Sequence, residues 1–295
     1  MKYLQSPQIS FNLILSTFVL LIFSLGCGNA RTADAVAYSS LSGVPSSQLE
    51  VDLYPCSDFA KSLVVYVHGG AWTRGDKANV HSMPQFFAQN NVCFASVNYP
   101  LTPLSGKSVM DLQVSALSSF DSWLDKQALH KIPYKNITLI GHSAGAHLIA
   151  LVDKRHGWGV MVRNLVLMDS GSYNIQAKLK KSSPRYKTLM NHLLNINQLS
   201  PAEKDALLTN YSPTLLSSKP RFSGSLNVLV LSGSRPVVLD SSRALVDSYD
   251  SIKGYRASLI EFPWTHQEFP RKIGEDPDFS EFLLSVVQSS LSAND

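Results

Sequence analysis

Residues 141–145 read Gly-His-Ser-Ala-Gly, a serine with a glycine two positions away on either side. The apolar run "ITLI" precedes them and "AHLIALV" follows, so Ser143 falls in a sharp turn between a strand and a helix. Such a turn lifts the serine oxygen above a sheet. The helix N-terminus also points N–H groups, that of Ala144 among them, at any negative charge that develops there. A serine hydroxyl is a poor nucleophile at neutral pH and needs a positioned base. Among the eight histidines, His266 is best placed, because it follows the last strand-like run, in "EFPWTHQEFP", where a loop can carry its ring over the sheet edge. His142 is expected to point away from the nucleophile, and His147, one helical turn on, to be a packing residue. In "VHGGAW", two residues without Cβ atoms let backbone N–H groups come close to a substrate oxygen. Gly69, Gly70 and Ala144 are therefore the candidate oxyanion donors.

The elements that must position these groups alternate between two periods. "LEVDLYP" (49–55), "SLVVYVHGG" (62–70), "VCFASVNYP" (92–100), "ITLIGHS" (137–143), "VRNLVLMDSG" (162–171), "LNVLVLSG" (226–233) and "YRASLIEFPW" (255–264) read as strands. Helical spacing marks 108–129, 144–155 and about 241–252. Strands alternating with helices predict an α/β fold, with a mostly parallel sheet covered on both faces and ligands at the carboxyl ends of its strands. His68, Ser143, Asp169, Gly233 and His266 all fall at or just after such ends. Residues 172–222 break the alternation with short helical stretches interrupted at Pro184 and Pro201, and read as a cap inserted over that edge.

The chain has 295 residues, 44% of them hydrophobic and 16% charged, which suits one domain over 36–295 with a large core. A net charge of +4 spread along the chain argues against a nucleic-acid surface. There is no Cys/His cluster at metal-ligand spacing and no phosphate-cradling glycine loop with a lysine, so neither a metal nor an organic cofactor is expected. Residues 1–35 have an export-signal layout: Lys2, the apolar run 11–26, then small residues with cleavage sites near Ala30 or Ala35. The alternatives are a retained membrane anchor, or lipid attachment at Cys27, where "SLGC" has Ser24 at a position that usually holds Leu. Export permits a Cys56–Cys93 disulfide, but the spacing does not demand one, and core filling is the expectation for Cys93.

Taken in order, "VHGGAW", "VNYPLTP", "GHSAGAH", "YSP" (211–213) and "HQEFPRKIG" resemble the α/β-hydrolase superfamily. Within it the chain is most similar to HGG-type carboxylesterase-like and kynurenine-formamidase-like enzymes. The resemblance implies Ser143 as nucleophile, His266 as base, and Gly69, Gly70 and Ala144 as oxyanion donors. It also implies an Asp in the loop after the penultimate strand, where this chain has "SGSRPVVLD", with Pro236 at the expected place. Asp240 is the nearest acid in that loop and the preferred third member, with helix N-capping as its other role. Asp169, at the preceding strand end, is its competitor. The implied activity is ester hydrolysis on a small-molecule substrate. An arylformamidase with the same catalytic set, and a noncatalytic binding protein with a degenerate acid loop, are the alternatives.

Overall fold

The computed structural model describes residues 33–101, 108–130, 136–217 and 225–289. The export-signal segment, including Cys27, lies outside these residues apart from its last few positions. The strands are β1 (Asp34–Ala37), β2 (Glu50–Leu53), β3 (Ser62–Val67), β4 (Val92–Val97), β5 (Asn136–His142), β6 (Val162–Met168), β7 (Leu226–Gly233) and β8 (Tyr255–Phe262). The helices are α1 (Met83–Gln89), α2 (Val109–His130), α3 (Ala144–His156), α4 (Ile175–Lys181), α5 (Pro184–Leu194), α6 (Pro201–Asn210), α7 (Pro236–Asp250), α8 (Phe269–Lys272) and α9 (Pro277–Ser289). The strands form one sheet in the order β1-β2-β4-β3-β5-β6-β7-β8. β1 and β2 are antiparallel to their neighbours, and every pairing from β4 onward is parallel.

Every residue of β3, β4 and β5 is buried, as expected of central parallel strands covered on both faces. Alternate residues feed two cores. Val65, Val67 and Leu139 pack in a cluster with side chains of α2, α3 and α5, while Val64, Tyr66 and Ile140 pack with Met83 and Phe87 of α1 and Leu283 and Val287 of α9. The result is a three-layer α/β/α arrangement. Loops leaving the ends of β3, β5, β6 and β8 meet at one edge of the sheet, and the functional groups sit there.

Three sequence expectations change at this level. β1 is an additional short edge strand and begins at Asp34, so cleavage after Ala35 would remove half of it. α7 begins at Pro236, not near residue 241, because proline suits the first helical position, where its missing N–H costs no hydrogen bond. Cys56 and Cys93 are joined in a disulfide, with Cα atoms 5.1 Å apart, which ties the loop after β2 to β4.

Candidate active site

Ser143 occupies the turn between β5 and α3 with φ 55° and ψ −113°, a conformation that non-glycine residues rarely adopt. Two contacts hold it there. Its N–H donates to the carbonyl of Met168 at the end of β6 (2.8 Å), and its carbonyl accepts from His147 (3.1 Å). The following glycine is compelled by close approach: a Cβ on Gly145 would overlap the carbonyl oxygen of Val67. The serine oxygen is thereby presented above the strand ends.

His266 lies in the loop after β8. Its Nε2 is 2.9 Å from Ser143 Oγ, so the hydroxyl can donate to it. Its Nδ1–H donates to Asp169 Oδ2 at 2.6 Å. Asp169 immediately follows β6 and is wholly buried. Its other oxygen accepts the Gly233 N–H (2.8 Å), and Arg235 Nη2 donates to Oδ2 (2.7 Å). Burial alone would raise this carboxyl. The hydrogen bonds from His266 and Gly233 and the charge of Arg235 outweigh that, and hold it below its ordinary range. Arg235 Nη2 also lies 3.3 Å from His266 Nδ1; with both as donors to one carboxylate oxygen, this is proximity and not a hydrogen bond.

Asp240 is not part of this constellation. It sits in the second turn of α7 with its side chain 78% exposed, 3.7 Å from Arg243 one turn on. The N-cap role falls away as well, since the helix starts four residues earlier. The loop expected to carry the acid carries Arg235 instead, and the carboxylate comes from the neighbouring strand end.

His142 also departs from expectation. Its ring packs 4.6 Å from that of His266, and its Nε2–H donates to the His266 carbonyl at 2.8 Å. Burial, and then the nearness of His266, lower its pKa to about 4, so it stays neutral and can anchor the loop that carries the His266 imidazole. Tyr99 is buried beneath the glycine loop, stacked on His68 (4.4 Å), with its hydroxyl donating to the His68 carbonyl (2.9 Å).

Gly69 and Gly70 lie beside the serine. A Cβ on Gly69 would stand 3.1 Å from Ser143 Cβ, and Gly70 has φ 129°. Ala71 and Trp72 continue the left-handed backbone, at φ 52° and 62°. Three side chains fix this loop from behind. Gln113 Nε2 donates to the carbonyls of Trp72 (2.7 Å) and Pro100 (2.8 Å). Trp72 Nε1–H donates to His147 Nδ1 (3.3 Å), and His147 Nε2–H donates to the Tyr211 carbonyl (2.9 Å). Burial lowers His147 to about 4, which keeps it neutral, as its acceptor nitrogen requires. Gln113 escaped sequence reading, although it shares a face of α2 with the apolar Val109, and a lone amide on such a face was the available signal.

Two cavities open on either side of Ser143. One, of about 490 Å³, is walled by His68, Gly70, Arg74, His81, His142 and Arg271. The other, of about 480 Å³, lies toward the cap, with Trp72, Lys178, Tyr186, Leu189, Arg235 and Val237 among its walls. A substrate with its reacting carbonyl at Ser143 could extend a portion into each.

The sheet order, the strand-turn-helix serine and the facing histidine and buried aspartate define an α/β hydrolase. The BD-FAE family model matches residues 51–206, more than half of the chain, and the chain belongs to that family. Kynurenine formamidase of Salmo salar is 25% identical over 271 residues, covering 89% of this chain and 84% of that one. An isoprenylcysteine alpha-carbonyl methylesterase of Arabidopsis thaliana is 23% identical over 268 residues, covering 83% of this chain and 60% of the relative. Among solved structures, esterase B of Lactobacillus rhamnosis superposes with TM-score 0.63 at 17% identity, covering 89% and 88% of the two chains. A propionate-bound thermophilic esterase of Thermogutta terrifontis gives TM-score 0.63 at 17% identity, with 90% and 96% covered.

Proposed function

We propose that the chain is a serine hydrolase that cleaves carboxylic esters through an acyl-enzyme on Ser143. The observation that carries this is the continuous chain of contacts from Ser143 Oγ through the His266 ring to Asp169 Oδ2. In this reading the serine oxygen attacks the ester carbonyl while His266 Nε2 takes its proton. The resulting imidazolium is held in place by Asp169. Negative charge on the carbonyl oxygen is met by the N–H groups of the 69–70 loop and Ala144, and such donors are worth about 3 kcal/mol each where measured. His266 then protonates the departing alcohol, and water enters by the reverse route.

A formamide in place of an ester needs the same groups, and the kynurenine formamidase relatives support that second reading. The noncatalytic alternative draws on the absent carboxylate after β7, and the placement of Asp169 beside His266 speaks against it. Export remains part of the proposal: the disulfide suits an oxidising compartment, and cleavage near Ala30 leaves β1 whole. The deciding assay compares p-nitrophenyl acetate, p-nitrophenyl butyrate and an N-formyl arylamine on wild type and Ser143→Ala. Ester turnover that vanishes with Ser143 supports the first reading, and formamide turnover without ester turnover supports the second. Activity that survives Ser143→Ala overturns both.

A further inference from the structure

The cap-side cavity combines apolar walls with two cations. Trp72, Leu189, Val237 and Val238 supply the apolar surface, and Lys178 and Arg235 face the same space. Arg235 is already committed to Asp169. Lys178, on α4, has no carboxylate partner among the described residues. Its ammonium donates to Ser172 Oγ at 2.7 Å and lies 4.6 Å from the centre of the Tyr186 ring. Tyr186 from α5, Arg235 from the loop before α7 and, at longer range, His147 of α3 are the groups nearest it, and none of them is negative at neutral pH; His266 and Asp169 line the Ser143 end of the same cavity.

Asp169 lines the same cavity, but its ion pairs are with Arg235 and His266 and none joins it to Lys178. A half-buried ammonium satisfied only by a hydroxyl and a ring face is costly unless an anion joins it. Burial, and then Arg235, lower its pKa to about 8, the direction expected of a cation short of a partner.

We propose that Lys178 is a specificity-determining residue, and that the portion of substrate held under the cap carries a carboxylate that pairs with its ammonium. This rests on the serine-hydrolase reading of Ser143 and names a substrate class within it. The ester would sit at Ser143, an apolar spacer would run along Trp72 and Val237, and the carboxylate would end between Lys178 and Ser172. The bland alternative is a strut in which Lys178 only fastens α4 to the loop after β6.

Two matched pairs of esters separate these roles. In the first, the acyl end is varied: p-nitrophenyl hydrogen adipate against the p-nitrophenyl ester of adipic monoamide. In the second, the leaving group is varied: 3-carboxyphenyl butyrate against 3-carbamoylphenyl butyrate. The ratio of kcat/KM within a pair does not depend on the fraction of active protein. Wild type should prefer the carboxylate member of at least one pair by about tenfold or more, the effect of one charge-assisted hydrogen bond. Lys178→Met should bring that ratio to about one, and Lys178→Arg should keep most of it. Ratios near or below one in both pairs overturn the proposal whether or not the variants fold. A preference that Lys178→Met leaves unchanged also overturns it, and assigns the selectivity to Arg235 or to Arg74 and Arg271 in the opposite cavity. Labelling of Ser143 by a fluorophosphonate, run alongside, separates the two levels: labelling without charge preference defeats only the substrate class. Absence of both labelling and turnover defeats the hydrolase reading with it.

Discussion

His266 Nδ1 lies 2.6 Å from Oδ2 of Asp169, a wholly buried carboxylate at the end of β6 that is separated from the histidine by 97 positions in the chain. Asp240, in the second turn of α7, faces solvent. Asp169→Asn should therefore lower kcat on p-nitrophenyl butyrate by about 10³–10⁴-fold with little change in KM, because the amide favours the wrong imidazole tautomer. Asp240→Asn should stay within about twofold of wild type. Steady-state kinetics on the two variants checks this, and a large loss confined to Asp240→Asn would reverse the assignment.

The choice between these acids shows where the sequence was readable. Both aspartates are visible, and both follow strand-like runs. Loop position favoured Asp240, but Pro236 is a helix-start signal that moves Asp240 into the second turn of α7, on a face shared with Arg243. Ser143, His266 and the 69–70 glycines could be found because each is tied to a local pattern: an apolar run that ends in glycine or in a loop. Asp169 has no local pattern of its own. Its place beside His266 is set by the left-handed backbone at φ 48° and by a hydrogen bond to Gly233, and both depend on how β6 and β7 lie side by side. The short edge strand β1 was missed for a related reason, since four mostly exposed residues carry little hydrophobic signal.

Buried neutral histidines make stability depend on pH. His142 and His147 are lowered to about 4, chiefly by burial, against about 6.5 in an unfolded chain. Between these values the unfolded chain binds more protons, so the contribution of these two histidines should be full above about pH 6.5 and fall as the pH drops toward 4, offset in part below about pH 6 by buried Asp153, whose carboxyl burial raises to about 6. The loss should reach about 3 kcal/mol per histidine. Asp169, whose carboxyl is lowered, should add a further loss only below about pH 4. Urea unfolding at pH 7, 5.5 and 4.5 measures this. The slope between pH 6.5 and 4.5 should flatten in His147→Gln, and an unchanged slope there would argue that this ring is already charged in the folded state.

The Cys56–Cys93 disulfide closes a loop with a sequence separation of 37. Chain entropy puts its contribution at roughly 4 kcal/mol, with measured values more often 2–4. The Cys56→Ser, Cys93→Ser double variant should melt about 5–15 °C lower than wild type. Thiol counting under denaturing conditions on protein recovered from an oxidising compartment should find neither cysteine free. A full complement of free thiols in that protein would contradict the pairing.

Covalent capture tests the central claim most directly. Intact-mass spectrometry after reaction with a fluorophosphonate should show one adduct per chain, mapped by peptide sequencing to Ser143. The adduct should be absent in Ser143→Ala and should form about 10³-fold more slowly in Asp169→Asn. An unreactive wild-type protein, or an adduct that persists in Ser143→Ala, would contradict the assignment of Ser143, His266 and Asp169 as one catalytic unit.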